Sequence, residues 1–236
     1  MKKLIIIPAY NESESIYHTV MDIKEKAPDF DYIIVNDCSK DNTKQILREH
    51  RFPYLDLPIN QGIGGAVQSG YLYALENGYD LAVQVDGDGQ HDPSFLGEMV
   101  KAMEREGADL VIGSRFLEKE GFQSSFSRRL GIRYFTFLIK LCTGKRITDP
   151  TSGLRMAGKE AMAFFAKEYP RDYPEPESIV DVLSRKMKVV ELPVLMRERG
   201  GGVSSIRIGN SIYYMFKVSV AIFIARIARK GGKANV

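Results

Sequence analysis

Cysteine is nearly absent. Cys38 and Cys142 are the only two in 236 residues, and they have no metal-like spacing. A disulfide framework and a zinc ribbon are therefore excluded, and both thiols are expected to be reduced, as in a cytosol. Charge of one sign is also scarce: 33 basic against 30 acidic residues leave a net charge of +3. That balance, with ordinary hydrophobic content, argues against a nucleic-acid binder or a disordered chain. Long apolar runs are missing as well. Met1-Lys-Lys-Leu-Ile-Ile-Ile-Pro8 begins like a signal peptide, but its apolar run is too short for one, and it reads as a first strand. Near the other end, Ile212 to Ala228 is broken by Lys217 and Arg226, so about 20 uncharged residues for a membrane span are not available. Gly62-Ile-Gly-Gly65 lacks the Gly-Lys-Ser/Thr of a P-loop and is not a Gly-x-Gly-x-x-Gly fingerprint. There is no internal repeat and no low-complexity segment.

What remains is an alternation of short buried strands with helices. Leu4 to Ile7, Asp31 to Val35, Tyr54 to Leu57, Ala82 to Val85, Asp109 to Arg115 and Val189 to Val194 read as strands. Between them, Ser13 is expected to cap a helix through Ile16, Val20 and Ile23. A glycine-rich turn over 60–70 enters another helix, and Pro93 to Glu106 forms a third. Glu177 and Ser178 are read as the start of a helix over 179–185. Strands and helices at this spacing predict an α/β fold with a mostly parallel sheet wound on both faces. One domain over 1–206, followed by an apolar and basic appendage over 207–236, is expected from the length.

Polar residues gather where the strands end, which is where ligands bind in open α/β sheets. The densest group follows the strand Ala82 to Val85, where Asp86, Asp88 and Asp92 crowd one loop with Gly87, Gly89 and Gln90. Two like charges about 4 Å apart repel by about 4 kcal/mol at an effective dielectric near 20, so a cation or proton uptake must offset them. Hard oxygen donors beside an amide suit Mg²⁺ or Mn²⁺ rather than zinc; a solvated Asp/Gly turn is the bland alternative. Asp37, after the second strand, is placed either to accept from a nucleotide base or, with Asp41, to cap a helix. Gly64 lies where backbone amides can approach a phosphate. Arg115, after Gly113-Ser114, can hold an anion or sit at the surface.

Taken together, Pro8-Ala-Tyr-Asn-Glu12, Asn36-Asp37 with Ser39, Asp41 and Thr43, the 60–70 loop, Asp86-Gly-Asp-Gly-Gln-His91, Gly113-Ser-Arg115 and Asp149-Pro-Thr-Ser-Gly-Leu-Arg155 resemble the family 2 inverting glycosyltransferases, and most of all their dolichyl-phosphate-mannose-synthase-like branch. The resemblance implies a GT-A fold, a single Rossmann-like nucleotide-binding domain. It implies that Pro8, Ala9, Tyr10, Glu12, Asp37, Gly64 and Asp86 surround the nucleotide and that Asp86, Asp88 and Gln90 contact Mg²⁺ or Mn²⁺. It also makes Asp149 a site residue beside the donor sugar, and Arg115, with arginines of the next segment, the holders of a polyprenyl phosphate.

That segment, Phe126 to Leu141, sets Arg128, Arg129 and Arg133 at one end of a strongly apolar helix. Arginine forks suit phosphate oxygens, and the apolar remainder suits lipid; the alternative is an ordinary amphipathic helix with a solvated basic end. The expected reaction is therefore metal-dependent, inverting transfer of a hexose from a nucleoside-diphosphate sugar, UDP preferred, to a polyprenyl phosphate. Catalysis would fall to Asp86, Asp88, Arg115 and Asp149. The alternative is a saccharide hydroxyl of a lipid-linked or cell-wall glycan as acceptor, with Glu175 or Glu177 as the base such a nucleophile needs. Arg197 to Ser205 reads as a flexible basic loop, similar to one that closes over the diphosphate in relatives. The apolar tail ending in Arg229, Lys230 and Lys233 reads as a peripheral anchor on the cytoplasmic membrane face, as a docking helix for a small integral membrane protein or a second copy, or as a helix packed on its own domain.

Overall fold

The computed structural model describes residues 1–118, 126–172 and 174–197 together with Met215, Lys217, Ser219 and Val220; for 126–128 it describes the backbone only. Among these residues seven strands form one sheet in the order β3-β2-β1-β4-β6-β5-β7. The strands are β1 (Lys3–Ala9), β2 (Asp31–Asn36), β3 (Tyr54–Asp56), β4 (Leu81–Gln84), β5 (Leu110–Ser114), β6 (Arg155–Gly158) and β7 (Val189–Pro193). The helices are α1 (Ile16–Lys26), α2 (Thr43–Glu49), α3 (Gly62–Glu76), α4 (Leu96–Glu106), α5 (Phe126–Thr143), α6 (Lys159–Lys167) and α7 (Pro174–Ser184).

β1 shows why the sheet is covered on both faces. Its side chains alternate, so Leu4 and Ile6 enter a core with α3, α5, α6 and α7, while Ile5 and Ile7 enter another with α1, α2 and α4. A strand buried on both faces must be apolar throughout, as Leu4 to Ile7 is. All pairings are parallel except those of β6, which runs antiparallel to both β4 and β5. The expected mostly parallel sheet is present, with one reversal that sequence reading did not mark. The parallel strands β1, β2 and β4 deliver their carboxyl ends to one edge of the sheet. Because β6 runs the other way, the turn leading into it arrives at that same edge.

Two element boundaries differ from expectation. α1 begins at Ile16, after Ser15 rather than Ser13, because the Ser13 amide is committed to Asp41 Oδ2 at 3.1 Å. α7 begins at Pro174 rather than near Ile179; proline suits a first helical position, where its missing N–H has no partner to lose. Glu175 and Glu177 therefore lie in the first turn of a helix. Beyond 206 only four residues are described, and three of them sit on the domain. Met215 packs against the core, the Ser219 hydroxyl meets Tyr134 Oη at 2.8 Å, and Lys217 pairs with Asp172. No helix among the described residues is long and apolar enough to cross a membrane.

Candidate active site

The ends of β1 and β2 are laced together by side chains that take up backbone amides. Asn11 N donates to Ser39 Oγ at 3.0 Å, Lys40 N to Asn11 Oδ1 at 2.8 Å, and Glu12 N to Thr43 Oγ1 at 2.8 Å. Both Asn11 and Cys38 adopt φ of 57°, a left-handed conformation that costs about 1–3 kcal/mol and persists only where the surroundings over-determine it. Inside this clasp Pro8, Ala9 and Asp37 are buried, whereas Tyr10 keeps its ring exposed. Asp37 does not cap α2. Its Oδ1 accepts from Gln61 N at 2.7 Å at the entrance to α3. Burial raises its pKa, and the amides of Gln61 and Gly62 oppose that rise only in part.

Gly64 is committed elsewhere than to a phosphate. Its N–H donates to Arg171 O at 3.1 Å, and a Cβ there would stand 2.0 Å from the Pro170 carbonyl. The glycine is needed for that close backbone approach, and its amide is engaged by the Arg171 carbonyl in this structure.

At the end of β4 the three carboxylates divide their tasks. Asp92 is occupied, accepting from Ser94 N at 3.1 Å and from Arg197 at 2.7 Å. Burial would raise its pKa, yet the Arg197 and Ser94 bonds outweigh burial and hold it at about 2. Asp86 Oδ1 accepts from Gln84 Nε2 at 3.0 Å, and the Asp86 N–H donates to His91 Nδ1 at 3.0 Å. With Nδ1 accepting, the proton of neutral His91 sits on Nε2, which is buried without a hydrogen-bond partner and lies 3.7 Å from Asp86 Oδ2. The Asp88 carboxylate accepts from Gln90 N at 3.1 Å.

A divalent cation fits this donor set. Among the described residues no group of three or more His, Cys, Asp or Glu could hold a metal ion alone. Two carboxylates and a carboxamide are what Mg²⁺-type ions use when substrate phosphates complete the shell. The place of one donor is kept as well: a Cβ at Gly153 would come within 2.7 Å of Asp86 Oδ2, so only glycine leaves that carboxylate its position.

Gly153 belongs to the turn that enters β6, and the other end of this turn reaches a cavity. Asp149 is fully buried. It accepts Arg115 Nε on Oδ2 at 2.6 Å and Arg115 Nη2 on Oδ1 at 2.7 Å, while Thr151 Oγ1 takes a further Arg115 bond at 3.0 Å. Glu191 on β7 binds the amides of Thr148 and Asp149, each at 2.9 Å. Arg155, 1 % exposed, ties the turn to α7, bonding the carbonyls of Pro150 and Ser152 on one side and Glu175 O and Ser178 Oγ on the other. The cavity, about 380 Å³, is lined by Thr148, Phe116, Ile132, Thr136 and three arginines, Arg129, Arg133 and Arg146. None of those three guanidiniums has a hydrogen-bond or ion-pair partner among the described residues.

The structure thus brings Asp86, Asp88 and Gln90 together in one loop, and joins Asp149 to Arg115. It sets Arg129 and Arg133 on the cavity wall, whereas Arg115 is spent on Asp149 and Thr151 rather than lining the cavity. The side chain of Arg128 and residues 198–205 lie outside the described residues. Glu177 is raised by burial, with Asp181 adding to the effect and Lys217 opposing it. Arg146 and Glu191 were not marked by the sequence, and Gly153 stood there only as part of the motif that begins at Asp149. Lys145-Arg146 just ahead of Asp149 is the one local signal for the first, while Glu191 and Gly153 act only through folded contacts.

A model described as Glycosyl transferase family 2 matches residues 4–164. The chain is 29% identical over 210 residues to the UDP-N-acetylglucosamine–dolichyl-phosphate N-acetylglucosaminyltransferase of Methanococcus voltae, covering 80% of this chain and 83% of that one. It is 29% identical over 248 residues to the polyprenol monophosphomannose synthase of Mycolicibacterium smegmatis, covering 98% and 91%. Its fold matches that of glucosyl-3-phosphoglycerate synthase from Mycobacterium tuberculosis, solved with Mn²⁺, UDP and glucosyl-3-phosphoglycerate. The TM-score there is 0.70 at 18% identity, covering 95% of this chain and 79% of that one.

Proposed function

The chain belongs to glycosyltransferase family 2, and from that premise we propose that it transfers a hexose from a nucleoside-diphosphate sugar, UDP preferred, to a polyprenyl phosphate with inversion at the anomeric carbon. The observation that carries this reading is one turn with two ends. Gly153 abuts the Asp86 carboxylate, and Thr148 lines a cavity with three arginines that have no partner among the described residues. That arrangement supports a donor site and an anionic-acceptor site lying side by side.

In this reading Tyr10 stacks on the base, and buried Asp37 accepts from it. Asp86, Asp88 and Gln90 would hold Mg²⁺ or Mn²⁺, and such an ion would supply Lewis-acid stabilisation of the charge on a departing diphosphate. Arg129, Arg133 and Arg146 grip the acceptor phosphate and aim one of its oxygens at the anomeric carbon. A phosphate is already anionic at neutral pH, so that nucleophile needs positioning rather than a base. Arg115 acts through Asp149, keeping the turn that joins the two halves in place. Relatives named for N-acetylglucosamine and for mannose support the polyprenyl acceptor while differing in the sugar.

The membrane is the natural source of such an acceptor, and α5 supports contact with it. Leu130, Tyr134, Phe137 and Leu141 recur at helical spacing, and Leu130 and Phe137 are 61% and 65% exposed. We place the protein peripherally on the cytoplasmic face, with 207–236, whose Met215, Lys217 and Ser219 contact the domain, as the associating segment toward lipid, a small integral membrane protein or a second copy. A saccharide hydroxyl acceptor, with Glu175 or Glu177 as base, is the second reading, supported by the raised pKa of Glu177.

The test is product analysis with radiolabelled UDP-glucose, UDP-N-acetylglucosamine and GDP-mannose, each incubated with Mn²⁺ and undecaprenyl phosphate, with and without EDTA. A chloroform-soluble, mild-acid-labile product that EDTA abolishes is expected and names the sugar. Turnover that requires a glycan instead, and stops in Glu175→Gln or Glu177→Gln, overturns the lipid-phosphate reading.

A further inference from the structure

Arg197 closes a circuit around the loop that follows β4. Its guanidinium bridges Asp22 on α1 at 2.8 Å and Asp92 at 2.7 Å, and Lys26 joins the same two carboxylates at 2.9 and 3.4 Å. Its N–H donates to Gln90 O at 3.0 Å, and the Gln90 carboxamide returns a bond from Nε2 to Arg197 O at 3.4 Å. One residue earlier, Met196 pairs antiparallel with His91. The chain leaving β7 is thus laid against the proposed cation loop and pinned there by its own side chain.

For Gln90 the consequence is directional. A carboxamide offers both an acceptor oxygen and a donor nitrogen, and only the oxygen can ligate a hard cation. A carbonyl can bind only the nitrogen, so the bond to Arg197 O commits Nε2 and leaves Oε1 as the end presented elsewhere. We propose that Arg197 is a positioning residue for the cation site. Held between Asp22 and Asp92, it fixes the Gln90 carboxamide with its oxygen toward the ion and touches neither ion nor donor. This rests on the reading of Asp86, Asp88 and Gln90 as the ligands. It also gives Arg197 a task other than the closing over a diphosphate expected from the sequence for 197–205.

The test measures Mn²⁺ affinity directly, by electron paramagnetic resonance of free Mn²⁺ in the presence of UDP, for wild type, Arg197→Ala, Arg197→Lys and Asp22→Asn. Loss of an outer partner typically weakens metal binding about 10–100-fold, and that is the change expected for Arg197→Ala, with kcat largely recovered at saturating Mn²⁺. Arg197→Lys should recover much of the affinity. Asp22→Asn, which leaves the Asp92 contact intact, should show a smaller loss in the same direction and serves should Arg197→Ala fail to fold. Wild-type Mn²⁺ affinity in Arg197→Ala, or a lowered melting temperature without a change in affinity, overturns the inference while the cation reading stands. A wild-type protein that neither binds Mn²⁺ nor loses activity in EDTA overturns both.

Discussion

Arg115 grips Asp149 as a fork, Nε to Oδ2 at 2.6 Å and Nη2 to Oδ1 at 2.7 Å, with side chains 6% and 0% exposed. Removing one partner of a buried pair leaves an uncompensated charge and costs about 3–5 kcal/mol. Arg115→Ala is expected to lose stability on that scale in urea denaturation. The double variant Arg115→Met with Asp149→Asn should recover part of the stability but little of the activity, because the turn that carries Asp149 keeps its Glu191 and Arg155 bonds but loses the fork that sets the Asp149 carboxylate.

On the proposed function, the three arginines of the cavity serve the acceptor and not the donor. Arg129→Ala, Arg133→Ala and Arg146→Ala should each raise KM for polyprenyl phosphate about tenfold or more, the size of one charge-assisted bond. KM for the nucleotide sugar should stay unchanged. Initial rates against each substrate in detergent micelles check the split, and equal effects on both substrates would remove the cavity from the acceptor's path.

Gly153 owes its place to the Asp86 carboxylate 2.7 Å from where its Cβ would stand. Gly153→Ala must push either the turn or the carboxylate aside by a few tenths of an ångström or more. A misplacement approaching 1 Å costs about 100-fold in rate, so kcat should fall on that order, with a far smaller effect on the melting temperature.

Asp37 trades stability for a poised carboxylate. Its folded pKa is raised by burial above the ordinary 3.8. The folded state therefore holds that proton more tightly than the unfolded chain. The resulting penalty is absent below the unfolded pKa, grows as pH rises through the folded pKa, and is complete at neutral pH. Asp37→Asn is expected to be more stable than wild type at pH 7, to lose that advantage near pH 3, and to bind UDP poorly. Denaturation curves at both pH values, with UDP titration, measure it.

Much of this was legible because it is local. The unbroken apolar run of β1 encodes burial on both faces, and the carboxylates after β4 announce themselves by mutual repulsion. β6 was not legible: Arg155-Met-Ala-Gly158 is four residues long and holds no β-branched side chain, so its antiparallel seat between β4 and β5 is decided by neighbours. The same holds for Glu191, whose carboxylate meets the amides of Thr148 and Asp149 across more than 40 residues of chain. The start of α7 was masked by Pro174 and Pro176, which read as loop until the helix places the first of them where proline belongs.

Ser114 and Thr148 meet through their hydroxyls at 2.7 Å, so the chain leaves the sheet and returns to it at nearly the same point. Between them lie α5 and most of the cavity wall, in a stretch closed at its base. Among the described residues no strand pairing lies inside it, while α5 fixes its buried side to the core through Phe135, Leu138 and Ile139. On the proposed function, a lineage could retarget the molecule to a new acceptor by changing the outward residues of this stretch, Arg129 and Arg133 among them, while the sheet register and the carboxylates after β4 are inherited unchanged.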